Sequence, residues 1–135
     1  MTEDAHAPIA QSTSLLRTLR GLLKTMRPHQ WTKNGFVFAG IVFDGQLFVV
    51  ESFLRVLFAF VLLCVVAGSV YIVNDLADIE ADRRHPRKRN RPIASGQLPV
   101  SLARVAGVLL PLVAILAALL LGWQFALVLL SYYLL

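Results

Sequence analysis

Two long apolar stretches limit what this chain can fold into. Val105 to Leu121 holds no charged residue, and Leu54 to Val73 holds only Arg55, beside its start. A helix that crosses a bilayer needs about 20 mostly apolar residues, and both stretches approach that length. Of the 135 residues, 57% are apolar, and they are gathered into such runs rather than mixed as in a soluble core. The expected fold class is all-α, a polytopic transmembrane helix bundle. One cysteine, Cys64, lies inside an apolar run, so an internal disulfide is excluded.

The first span is expected from near Pro28 to between Asp44 and Leu47, where Asp44-Gly45-Gln46 interrupts the apolar pattern. The second runs from about Phe53 to Val73, with Arg55 snorkelling at its start. The third runs from about Leu102 to Leu121 with Pro111 as a kink, and Gly122-Trp123 makes a turn. A fourth starts near Gln124 and is still apolar at Leu135. About twelve residues do not cross a bilayer, so the natural protein is expected to continue.

Residues 1–13 are polar and small and are expected to form a disordered tail. They contain no apolar segment of the kind a cleaved signal peptide requires. Residues 14–27 read as an interfacial amphipathic helix. Leu15, Leu16, Leu19, Leu22, Leu23 and Met26 share one face, and Arg17, Arg20, Lys24 and Arg27 share the other.

The formal charge is +5, and eleven of the thirteen Lys and Arg residues lie in the N-terminal flank or in the segment Asn74 to Ser101. The connection Asp44 to Ser52 has none. The positive-inside rule places both basic regions in the cytoplasm, as in a multi-pass plasma (inner) membrane protein. Basic clusters flanking spans suit a membrane surface or a phosphate-bearing ligand rather than nucleic acid.

The chemistry concentrates in Asn74-Asp75-Leu76-Ala77-Asp78-Ile79-Glu80-Ala81-Asp82, which continues the second span directly. If the helix continues, a turn of about 100° per residue sets Asn74, Asp75, Asp78 and Asp82 within roughly a quarter-turn stripe. Three carboxylates on one face repel one another at a membrane helix end unless cations sit on them. Hard oxygen ligands select Mg²⁺ or Mn²⁺, and magnesium is commonly completed by substrate phosphates. An acidic, solvated helix end is the plain alternative. Six of the nine residues from Arg83 to Arg91 are then basic, a counter-charge for phosphate or a loop that meets lipid headgroups. His85 could donate to phosphate, and Tyr71, one turn before the stripe, could face the same cavity. Lys33 and Asn34 stand at the cytoplasmic end of the first span and could reach it too.

The pattern Asn74-Asp75-x-x-Asp78-x-x-x-Asp82 resembles the first aspartate-rich motif of the UbiA superfamily of intramembrane prenyltransferases, and Arg91-Pro92 with Gly96 fits that family's continuation. The resemblance covers about residues 24–135. It implies a bundle of nine transmembrane helices around a cavity open to the cytoplasm. Two aspartate-rich motifs there bind Mg²⁺ and a diphosphate, and the second belongs to a later half absent from this chain. Residues 28–135 would then be the N-terminal part of that domain, about four of nine helices, and inactive alone.

Arg27-Pro28-x-Gln30-Trp31-x-Lys33-Asn34 and Asp82-Arg83-x-His85-Pro86-x-Lys88-Arg89-x-Arg91-Pro92-Ile93-Ala94 look most like the decaprenyl-phosphate phosphoribosyltransferase branch. That branch implies transfer of 5-phosphoribose from phosphoribosyl diphosphate to a polyprenyl (decaprenyl) phosphate, for cell-wall arabinan synthesis. Asp75, Asp78 and Asp82 would hold the Mg²⁺, and Asn74, Lys33, Lys88, Arg89 and Arg91 would bind substrate. Two alternatives stand beside it. One is an aromatic prenyltransferase that uses a polyprenyl diphosphate. The other is a non-catalytic membrane subunit or fragment. The expected partners are these lipids, the donor diphosphate and the bilayer, with a homo-oligomer left open.

Overall fold

The computed structural model describes residues 7–135, with side chains from Ser14 onward. Among the described residues the regular structure is entirely helical. The first helix, α1, covers Ala7–Thr25. It thus takes in residues 7–13, where a tail was expected, while residues 1–6 lie outside the described residues. Pro8 is tolerated there because the first turn of a helix has no use for its missing N–H.

The apolar face of α1 divides between two environments. Leu15, Leu16, Leu19 and Leu23 are exposed, as a lipid-facing stripe requires. Leu22 instead packs with buried Met26, Ile72, Ile93, Leu98 and Ala103 in one of two apolar clusters.

The first span departs from the expected α-helix. Pro28–Phe36 is wound as a 3₁₀-helix and only Val37–Phe43, α2, is α-helical. His, Trp, Thr, Asn and Gly in Pro28–Phe36 are weak α-formers, which lowers the cost of the tighter winding. A 3₁₀-helix rises about 2 Å per residue, so the sixteen residues of the two segments still reach roughly 28 Å. Asp44-Gly45 then turns the chain, with Gly45 at φ 70°.

Helix α3, Val50–Ala77, has 28 residues and spans about 42 Å. That exceeds the roughly 30 Å hydrocarbon core, so one end projects from it. Helix α6, Val100–Ala118, packs along α3, and α7, Trp123–Leu134, packs against both. Only α3 and α6 are long and apolar enough to cross a membrane on their own among the described residues. The second cluster, Leu62, Leu63, Val66, Ala114, Ala118, Ala126 and Leu129, joins these three helices.

Pro111 leaves the carbonyl of Gly107, four residues earlier, without its helical donor. Tyr133 of α7 fills the gap, its hydroxyl donating to Gly107 O at 2.6 Å. Between α3 and α6 lie α4 (Ile79–Arg84), a 3₁₀ turn (Lys88–Asn90) and α5 (Pro92–Ser95). Helix α5 is closed by Gly96 at φ 84°.

Candidate functional site

The aspartate-rich segment does not continue as one helix. Asp78, at φ −96° and ψ 8°, separates α3 from α4. The ladder persists across the break, with Asp78 N–H donating to Asn74 O (3.1 Å) and Asp82 N–H to Asp78 O (2.8 Å). Register is kept well enough that Asp75 and Asp82, about two turns apart, both turn inward. They are 3% and 2% exposed, whereas Asn74 and Asp78 face solvent. The single stripe expected from an ideal helix is thus split. Asp is a weak helix former, which lowers the cost of a break at Asp78, although its side chain makes no capping hydrogen bond there.

Arginine answers the buried carboxylates. Asp75 Oδ1 accepts from Arg27 Nη2 at 3.0 Å and from Arg91 Nη1 at 3.3 Å, and Arg91 Nη1 also donates to Asp82 Oδ2 at 2.9 Å. Buried carboxylates persist as ions only when paired in this way. The Arg27 guanidinium lies 4.5 Å from the centroid of the Tyr71 ring, a cation–π contact.

Local structure aims each arginine. Arg91 is the extended residue before Pro92, which opens α5 at the position where a missing N–H costs nothing. Arg27 ends α1 in the left-handed region at φ 54°, the one non-glycine residue with positive φ among those described. That conformation costs about 1–2 kcal/mol. Pro28 disfavours the α region for Arg27. Met26 is held tightly on both sides. Trp31 Nε1 donates to its carbonyl at 3.1 Å, and its side chain lies over Gly68, where a Cβ would come within 2.8 Å of Met26 Cβ.

The Arg27–Asp75–Arg91 bridge lines two clefts. The first, about 280 Å³, gathers oxygens of Asn74, Asp75 and Asp78 with the cations Arg27, Lys88 and Arg91, beside Tyr71. The second, about 470 Å³, is lined by Lys24, Arg27, His29, Arg87, Asn90 and Arg91, and Asp75 is its single acid.

Of the residues expected at the site, Asn74, Asp75, Asp78, Lys88 and Arg91 meet in the first cleft. Asp82 does not line it and is held behind Arg91. Among the described residues no three His, Cys, Asp or Glu side chains come close enough to hold a metal, so Asp75, Asp78 and Asp82 are not one ligand cluster. Arg89 and Lys33 are exposed and line neither cleft. In a 3₁₀-helix residues three apart eclipse, so Trp31 and Asn34 turn inward together and Lys33 turns out. Asn34 Nδ2 meets Cys64 Sγ at 3.5 Å instead of the cleft. His85 is no phosphate donor through Nδ1, which accepts the N–H groups of Arg87 and Lys88, both at 3.2 Å.

Sequence reading missed the second cleft. Lys24 and Arg27 fall on the polar face of a continuous amphipathic pattern, which suits a lipid surface as it stands. The signal was Arg27-Pro28, which ends α1 and returns the chain toward α3.

The first cleft presents two carboxylates, of Asp75 and Asp78, beside the Asn74 amide. Asn74, Asp75 and Asp78 offer hard oxygens, and Asp78 has no ion pair among the described residues. Magnesium commonly takes one or two carboxylates and leaves its remaining positions to water and phosphate.

A sequence profile described as the UbiA prenyltransferase family matches residues 35–135. The chain is 47% identical over 85 residues to the decaprenyl-phosphate phosphoribosyltransferase of Corynebacterium glutamicum, covering 62% of this chain and 26% of that protein. It is 41% identical over 120 residues to the enzyme of the same name from Mycobacterium tuberculosis strain H37Rv, covering 83% and 38%. For that of Mycolicibacterium smegmatis the identity is 40% over 118 residues, covering 81% and 35%. The chain therefore spans from 26% to 38% of the length of these relatives. With its match over 35–135 and its all-helical, membrane-type architecture, the chain belongs to the UbiA prenyltransferase family.

Proposed function

We propose that this chain supplies the first diphosphate-binding half-site of a membrane transferase. That enzyme moves 5-phosphoribose from phosphoribosyl diphosphate to a polyprenyl phosphate such as decaprenyl phosphate. One observation carries the proposal. In the first cleft, oxygen donors for a metal and cations for phosphate face the same space. The names of the relatives in corynebacteria and mycobacteria favour phosphoribose over a prenyl group. A role in cell-wall arabinan precursor synthesis, with the cleft facing the cytoplasm, follows from that choice.

Asn74, Asp75 and Asp78 would hold Mg²⁺. The ion would neutralise charge on the departing diphosphate as positive charge builds on the anomeric carbon. Lys88 supplies a mobile point charge to the phosphate oxygens, and Arg91 a planar fork. Arg27 is pinned by Asp75 and stacked on Tyr71, so it meets the ligand pre-oriented. Asp82 keeps Arg91 in place.

The test is a product assay on the full-length protein in detergent with Mg²⁺. Phosphoribosyl diphosphate and decaprenyl phosphate should yield a phosphoribosylated lipid, and EDTA should abolish it. Turnover only with geranylgeranyl diphosphate and an aromatic acceptor would replace this reading with the aromatic prenyltransferase. Turnover with neither would leave a non-catalytic membrane protein.

A further inference from the structure

We infer that the second cleft, between the end of α1 and the Arg87–Arg91 turn, is a separate docking site for the phosphate monoester of a membrane lipid. The inference rests on the transferase reading, and it divides the two substrates between the two clefts.

Charge is the first reason. Lys24, Arg27, His29, Arg87 and Arg91 line the cleft with Asp75 as the single acid, and Asp75 is already shared by two arginines. Lys24 and Arg87 have no ion pair among the described residues. The cleft therefore keeps uncompensated positive charge, and it has one carboxylate, Asp75, already shared by two arginines, where the first cleft adds Asp78, which has no ion pair among the described residues. An anion can bind here directly, through charge-assisted hydrogen bonds, with no bridging cation.

Position is the second reason. Lys24 is followed within three residues by Arg27, and it is preceded by Leu23, which with Leu16 and Leu19 forms the exposed apolar stripe of α1. A helix of this kind lies at the headgroup level of a bilayer. Lys24 stands on the polar side of that helix, at headgroup depth, so a phosphate carried by a lipid of the adjoining leaflet is held at the level of the cleft mouth, whereas a free sugar phosphate gains nothing from the leaflet. The shared wall of Arg27 and Arg91 then sets the lipid phosphate next to the group bound in the first cleft, as transfer between them requires.

The experiment is equilibrium binding to the full-length protein in nanodiscs of neutral lipid, in EDTA, with farnesyl phosphate and ribose 5-phosphate as probes. Mg²⁺-dependent binding of phosphoribosyl diphosphate is measured in parallel. Farnesyl phosphate should bind without Mg²⁺ and more tightly than ribose 5-phosphate. K24Q and R87Q should each weaken it about tenfold and together more, while changing diphosphate binding less than about twofold. D78N should do the reverse. Equal or better binding of ribose 5-phosphate, or wild-type farnesyl phosphate affinity in the K24Q/R87Q double variant, would overturn the inference. Loss of diphosphate binding in wild type would instead count against the transferase reading and leave the EDTA-resistant site standing.

Discussion

Arg91 Nη1 stands 2.9 Å from Asp82 Oδ2 and 3.3 Å from Asp75 Oδ1, so one guanidinium ties the short helix after the basic turn to both halves of the broken aspartate segment. Both carboxylates are almost fully buried. Removing Arg91 leaves Asp75 with Arg27 alone and leaves Asp82 buried with no ion-pair partner among the described residues. Breaking a buried pair from one side costs about 3–5 kcal/mol, and the partial exposure of Arg91 reduces that to roughly 2 kcal/mol. R91A should therefore lower the apparent Tm in detergent by several degrees. R91A and D82A combined should destabilise less than the sum of the two single changes. Strict additivity would show that the pair is not coupled.

Asp78 and Asp82 look alike in the motif and differ in the fold. Asp78 is exposed and lines the cleft with Asn74, while Asp82 is buried behind Arg91. D78N should raise the Mg²⁺ concentration for half-maximal activity about tenfold or more without moving the apparent Tm. D82N should lower the apparent Tm and leave that Mg²⁺ concentration within about twofold. A tenfold Mg²⁺ shift in D82N would make Asp82 a ligand and put the whole acidic stripe back in one site.

The sequence showed the membrane-type helices, the acidic segment and the basic turn, because length, apolarity and charge are properties of local composition. It did not show that Asp78 would break the helix. An i, i+3, i+7 stripe assumes uniform winding, and it cannot register that Arg91, sixteen residues from Asp75 along the chain, pairs with Asp75 and Asp82 and not with Asp78. Lys33 lines neither cleft for a related reason. Its direction depends on 3₁₀ rather than α winding across Pro28–Phe36, which apolar periodicity cannot register. The second cleft was hidden because the charges on α1 serve a lipid surface and a cleft equally well.

Gly68 governs the position of Arg27 from a distance. A Cβ there would lie 2.6 Å from Met26 Cε and 2.8 Å from Met26 Cβ, and the second contact cannot be relieved by a rotamer change. Overpacking of this kind costs about 1–3 kcal/mol. Because Met26 precedes the left-handed Arg27, its displacement should also move the guanidinium away from Asp75. G68A should raise the KM for phosphoribosyl diphosphate in addition to lowering the apparent Tm. M26G in the same background, which removes the Met26 Cβ, should recover part of the KM change. A stability loss with unchanged KM would show that Gly68 serves packing alone.

Tyr133 and Pro111 should behave as a linked pair. Pro111 removes the N–H that would reach Gly107 O, and the Tyr133 hydroxyl donates there at 2.6 Å. The carbonyl of Gly107 sits among apolar helices, where an unmet acceptor costs about 1–3 kcal/mol. Y133F alone should therefore destabilise. P111A restores the helical donor, so that carbonyl no longer depends on α7. In the P111A background Y133F should lose most of its effect, because the hydroxyl then only duplicates a bond already made. Comparing apparent Tm for the four proteins gives the coupling directly. If Y133F is equally destabilising with Pro or Ala at position 111, the tyrosine acts through its packing against α6 and not through the carbonyl that proline exposes.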